Sequence, residues 1–417
     1  MRICLIFLLL VPLALPAQLI RIVNLKTNQL TYSGATGKVY ATVPSTAGSN
    51  GNSIAVIEPT TASLDTTVFI GSEPNALDIS DDGSTIWAGL DGAPNVIQFF
   101  TNTLTTGISL NLGSTPLSGL RFADDIAVLP GTTDEVAVSR RNQGFSPRHE
   151  GVALFVSGAE QPLSTQSHTG SNVIEAISPS LLYGYNNETT EFGLRTITAG
   201  SNGLTESQVY NNFVSGFDTD IAYSQGRLYA TNGKVVDVSG SAPQVTGTFA
   251  NVNGPVTADT NSNLVVYATG DFFATNVEVY RFSPTTFLPF DTIVVPPTLA
   301  SGAVRSIVPW GNSGGLALNT EDVVIIIDPN LVATDPTWVR EPARLAPNPT
   351  QTDVRLTWGS RNQADQIRIF AADGRLVQQI DRPVLPYILP AERLAQGIYH
   401  VVVSAEESTS AVKMVRQ

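Results

Sequence analysis

Short apolar runs separated by turn residues recur along most of the chain. Within 74–113 four such runs stand in order: Ala76–Ser80, Thr85–Leu90, Asn95–Phe100 and Thr105–Leu112. Asp82-Gly83 provides a tight turn between the first two, because glycine enters the left-handed region without steric penalty. Asp91-Gly92-Ala93-Pro94 provides the next. Brief runs rich in β-branched and aromatic residues, punctuated by Gly, Asp and Pro, predict strands rather than helices. Four antiparallel strands cannot cover both of their own faces, so the unit predicts a propeller blade that packs against others of its kind.

The pattern returns along the chain. Val39–Ala41, Ile54–Ile57 and Thr66–Ile70 precede it, and Asp125–Leu129, Glu135–Ser139 and Val152–Ser157 follow. A fourth unit shows Val173–Ile177 and Leu181–Tyr185. A fifth shows Asp220–Tyr223, Arg227–Ala230 and Lys234–Val238, and a sixth Val256–Asp259, Leu264–Ala268 and Val277–Phe282. Arg305–Pro309, Gly315–Leu318 and Val323–Asp328 make a seventh with no fourth strand. Unit starts fall about 38–55 residues apart, the spacing of propeller blades. Leu19–Leu25 (LIRIVNL) is a strand without a partner in the first unit, and pairing it onto the last would close the ring and remove two open sheet edges.

Composition agrees with this all-β reading. Charged residues are 14% of the 417, while Gly (34) and Pro (26) are plentiful. Net charge is −13 and lysine occurs only at positions 26, 38, 234 and 413, so no basic stripe exists and no nucleic-acid partner is expected. Residues 1–17 read as a signal peptide: Arg2, an apolar stretch to about Leu15, then Ala17, with cleavage expected between Ala17 and Gln18. The stretch is too short for a transmembrane span. Cys4, the one cysteine, lies within it, so the mature chain would hold together without disulfides.

From about residue 345 the texture changes, after a Pro-punctuated linker at 333–344. Val354–Trp358, Ile367–Phe370, Arg375–Gln379, Ile398–Ser404 and Ala411–Val415 predict a small Ig-like β-sandwich over 345–417. The propeller is accordingly assigned to 18–332.

Two resemblances follow from particular residues. Residues 39–89 and 228–240, with Tyr229-Ala230-Thr231-Asn232 and Ser80-Asp81-Asp82-Gly83, resemble the YVTN/surface-layer propeller repeat, which implies the fold and an extracellular life but no single chemistry. Pro347-Asn348-Pro349-Thr350, IRIFAADGRLV at 367–377 (with Gly374), LAQGIYHVVV at 394–403 (with Gly397 and Tyr399) and the terminal KMVRQ from Lys413 resemble the type IX secretion C-terminal sorting domain. That resemblance implies the type IX machinery as a partner, and release or attachment at the outer cell surface.

Candidate chemistry is sparse. No HExxH, GxSxG or phosphate loop occurs, and no cofactor or metal is called for. His168 and His400 have no evident partners. Asp78-Ile79-Ser80-Asp81-Asp82-Gly83 begins like a calcium loop, but Gly89 replaces the closing Glu, so a hairpin turn is expected. The segment from Arg140 to Glu150, between the second and third strands of the third unit, holds Arg140, Arg141, Phe145, Arg148, His149 and Glu150. Loops at that position share a propeller face with those joining successive blades, as do Pro44–Asn52 and the loop containing Asp271, Phe272 and Phe273. The expectation is a recognition surface whose arginines grip an anionic group such as a uronate in an acidic glycan, or a surface protein. The leading function is a non-catalytic exported propeller that binds a ligand or partner. The alternatives are a lyase- or lactonase-like propeller enzyme and a purely structural surface protein.

Overall fold

A computed structural model describes residues 18–270, 276–332, 343–358, 363–371, 375–405 and 408–417. They fall into two compact units that divide after Val332. Strands dominate both; the helical segments among the described residues are short 3-10 turns at Ser45–Asn50 and Ala391–Arg393.

The first unit is a seven-bladed propeller. Its innermost strands are Leu30–Ser33, Pro74–Ile79, Phe122–Val128, Val173–Ser178, Ile221–Ser224, Val256–Asp259 and Ser306–Trp310. Each lies beside the next and the last returns to the first, so together they wall a central space. Behind each, three further strands run outward in antiparallel order. Both faces of a blade are apolar. The second and third blades, for example, enclose Trp87, Val96, Leu110, Ile126, Val138 and Phe155. Burying these faces between neighbours is the main force holding the ring.

The ring is latched as the unpaired N-terminal segment predicts. Gln18–Val23 pairs antiparallel with Val324–Val332, with Leu19 opposite Asp328 and Val23 opposite Val324. Ile20 and Ile22 pack on the core between blades six and seven, and Val23 on the core between seven and one. Arg21 donates to the main-chain carbonyls of Pro59, at 3.0 Å, and Thr60, which ties the latch to blade one.

Several strands were not legible in the sequence. Blade one has an innermost strand, Leu30–Ser33, blade four is complete, with Leu194–Gly200 and Gly203–Tyr210 outside the pair already evident, and blades three, five and six gain the outer strands Ala159–Ser164, Gln244–Thr248 and Pro289–Val295. The outer strands of blades three and four also meet in parallel at Leu163 and Gly203, joining them into one eight-stranded sheet. Gly203 has φ +115°, and a Cβ there would stand 2.2 Å from the Leu163 carbonyl oxygen, so no other residue fits.

The second unit has two sheets on one core. Arg344–Ala346, Val354–Thr357 and Tyr387–Leu389 form one; Leu376–Asp381, Gln366–Ala371, Gly397–Ala405 and Ser408–Arg416 form the other, in that order. Leu356, Trp358, Ile367, Val401 and Met414 fill the space between them.

Candidate functional site

The innermost strands enclose a cavity of about 600 Å³. It reaches the face that carries the inter-blade loops, where Asp218, Thr231, Asn253 and Gly270 line it. Asp78, Asp125, Glu175 and Asp220, from blades two to five, face it. Arg305, at the start of blade seven, lines it too and donates to Asn28 at 3.0 Å. In a ring of seven, blade seven stands across from blades three and four, so the cavity has an acidic side and a basic one.

Three of these carboxylates also stitch the ring. Asp78 accepts the main-chain N–H of Val128 in the next blade at 2.7 Å, and Asp125 that of Ile174 at 2.7 Å. Glu175 accepts from Tyr223 of the fifth blade. Gln29 Oε1 and Ser306 Oγ serve the Leu77 and Leu30 N–H groups in the same manner. A side chain thus satisfies an inner-strand donor that no neighbouring strand reaches. Burial pushes Asp78 up to about 6. Asp125 and Glu175 are raised well above the carboxylate range by burial first and then by neighbouring carboxylates, Asp220 and Asp78 acting on Asp125, and Asp78, Asp125 and Asp220 on Glu175. The Asp78 carboxylate is therefore an inner-strand staple, and Asp82, bound by Ser80 and Ser84, makes the hairpin turn.

The arginine-rich segment is arranged otherwise than its sequence suggests. The second strand of blade three runs Glu135–Arg141 and the third begins at His149, which leaves Asn142–Arg148 as loop. Arg140 is 2% exposed and donates to Glu160 at 2.8 Å. Arg141 lies 2.8 Å from Asp91 and 3.2 Å from Asp124, and Arg148 lies 3.1 Å from Glu188. Asn172 links Asp124 to Glu188, so a continuous polar chain crosses blades two to four. The guanidinium charges are thus balanced within the protein, which leaves the expected grip on an anion without a free arginine in this segment. His149 is 1% exposed; its Nε2 accepts the Ser171 N–H, and burial pushes it down to about 4. Glu150 accepts from Asn142 at 3.2 Å, and Phe145 is 51% exposed at the loop tip. Asp271, Phe272 and Phe273 lie outside the described residues, as does Ala17, while Gln18 opens the latch strand.

One feature of this face had no sequence signal. Phe192, between the second and third strands of blade four, meets Phe217, in the connection to blade five, edge-on with centroids 4.9 Å apart. They lie in separate loops, and only folding brings them together. Among the described residues no group of three His, Cys, Asp or Glu side chains is placed to hold a metal ion.

In the second unit the Pro347-Asn348-Pro349 segment runs beside the terminal strand. The Asn348 amide donates to the Lys413 carbonyl at 2.6 Å and accepts the Val415 N–H at 2.9 Å, acting as a short length of strand. Gly397 opens the penultimate strand, and Tyr399, packed in the core, donates to Ala395 at 2.8 Å. Gly374 lies outside the described residues, and His400 is exposed on its strand.

Comparisons with known proteins separate the two units. The propeller is similar in fold to the Cps50 (Swd1) β-propeller domain of Myceliophteria thermophila, at TM-score 0.57 and 11% identity over 75% of this chain and 99% of that one. It is similar also to the WD40 repeats of RRP9, at TM-score 0.52 and 13% identity over 74% and 96%, respectively. Hydrazine synthase of Kuenenia stuttgartiensis matches at TM-score 0.54 and 10% identity, over 73% of this chain and 96% of the other. Such identities speak for the fold alone. No curated protein matches the chain. Residues 344–417 match the family described as the secretion system C-terminal sorting domain. The chain is therefore a β-propeller carried to the cell surface or beyond by a type IX sorting domain at its C-terminal end.

Proposed function

We propose that the propeller is the binding module of this exported protein, and that its ligand enters the central cavity from the face bearing the inter-blade loops. The observation that carries the reading is the cavity itself: about 600 Å³, walled by carboxylates of blades two to five with Arg305 across from them. A volume of this size with a few polar groups converging on it is the usual form of a small-molecule site. The YVTN-like segments support an extracellular setting for such binding. With Arg141 and Arg148 already paired, a neutral or dipolar ligand suits this mouth better than a polyanion.

A thermal-shift panel of sugars, amines, amino acids and lactones on the mature chain tests this. At least one class should raise the melting temperature, and Arg305→Ala and Asp220→Asn should reduce that shift. A panel without any stabilising compound, or shifts indifferent to both substitutions, would overturn the reading.

A further inference from the structure

The aromatic pair beside the rim residue Asp218 names a ligand class. Phe217 is 57% exposed, and it neighbours Asp218, which lines the cavity. An exposed aromatic ring of this size forgoes burial that folding ordinarily secures. Its mount is rigid. Phe192 buttresses it edge-on, and the two loops are tied together by Asp218 N–H to the Asn187 carbonyl at 3.1 Å, Asn187 Nδ2 to the Thr219 carbonyl at 3.2 Å, and Tyr185 OH to the Gly216 carbonyl at 3.0 Å.

Backbone strain falls at the same place. Phe192 has φ +47° and Asp218 φ +54°, in a region that side chains other than those of Gly, Asn and Asp rarely enter. For a Phe the cost is real, and such strain persists where the surrounding structure over-determines it. Here it holds one ring against the other and sets Asp218 at the cavity rim.

We infer that Phe217 and Asp218 form a saccharide subsite at the mouth of the cavity, for a neutral pyranose-containing oligosaccharide. The apolar face of a sugar ring would lie on Phe217, and its hydroxyls would donate to the Asp218 carboxylate, a charge-assisted acceptor. Asn253, exposed on the same rim, adds an amide that both donates and accepts. Charge selects against uronates: Asp218, Glu188 and Asp124 stand around Arg148, which Glu188 already engages. A pre-mounted platform loses little entropy when the ligand arrives.

This inference rests on the cavity-mouth reading above, and the experiment separates the two. Calorimetric titration of the mature chain would use neutral cello-, xylo- and manno-oligosaccharides, with oligogalacturonate as the acidic probe. At least one neutral series should bind; Phe217→Ala should weaken it roughly tenfold or more, while Phe217→Tyr stays within about threefold. Asp218→Asn, which removes the charge and keeps a residue suited to φ +54°, should weaken it several-fold, and the melting temperature of Phe217→Ala and Asp218→Asn should stay near wild type because neither side chain is buried. Preferred binding of oligogalacturonate, or affinity indifferent to Phe217→Ala, would overturn the subsite. A non-sugar ligand sensitive to Arg305→Ala but not to Phe217→Ala would overturn it too, yet leave the cavity as the binding site. Binding of nothing at all would overturn both.

Discussion

His149 sits inside blade three, where its ring accepts the Ser171 N–H at 3.3 Å and lies under Gly170. Burial, reinforced by the positive charge of Arg195, pushes its pKa down to about 4. The unfolded chain binds this proton near pH 6.5 and the folded chain only near 4, so the stability contributed by neutral His149 is complete above 6.5 and is lost as pH falls through 4. The difference corresponds to roughly 3 kcal/mol. Urea unfolding of wild type and His149→Gln at pH 7.5 and 4.5 should show the variant losing less on acidification. Gly170→Ala tests the same packing: a Cβ would stand 2.3 Å from the imidazole, and a cost of about 1–3 kcal/mol is expected in the same assay.

Among elements, the latch strand and the inner-strand staples make opposite demands. Removing Gln18–Val23 strips two partly buried isoleucines and buried Val23 from two cores and bares the edge of Val324–Val332. We expect a loss of roughly 5 kcal/mol, seen as a lower calorimetric melting temperature, with partial recovery when the peptide is added in trans. The staples cost stability at neutral pH. Asp78 titrates near 6 in the fold and near 4 when unfolded, so its stability contribution is complete at low pH and is lost as pH rises through 6. Its carboxylate accepts the Val128 and Ile79 N–H groups, and an amide keeps one of these bonds. The melting-temperature difference between Asp78→Asn and wild type should therefore move in the variant's favour from pH 4 to pH 7.5. An unchanged difference across that range would refute the charge argument.

At the scale of the molecule, the second unit carries the destination and the proposed binding belongs to the propeller. The first and last strands of the propeller end side by side, with Gln18 opposite Val332. The propeller core is built from its own blades. Truncation after residue 343 should therefore leave the melting transition of the propeller in place while abolishing its appearance in the medium and on washed cells. Fractionation followed by immunoblotting reads both locations.

Blade repeat, latch and sorting domain were legible in the sequence because each rests on local information: turn residues at regular intervals, an unpaired apolar strand, a motif series at one end. Blade four was harder to read because its outer strands, with Arg195 and Glu206 paired across them, lack the apolar alternation that marks a strand. The site was the least legible part. The segment from Arg140 to Glu150 reads as free cations, yet its partners Asp124 and Glu160 come from other strands of blade three and Asp91 and Glu188 from blades two and four, and only strand pairing and blade packing bring them within reach. Likewise Phe192 meets Phe217, and the carboxylates of four successive blades line one cavity, only once the blades stand around an axis. Sequence by itself determined the class of fold and the destination, since periodicity and end motifs are written along the chain. Which charges stay free, and which side chains converge, depends on contacts between distant residues, and these only the tertiary structure decided.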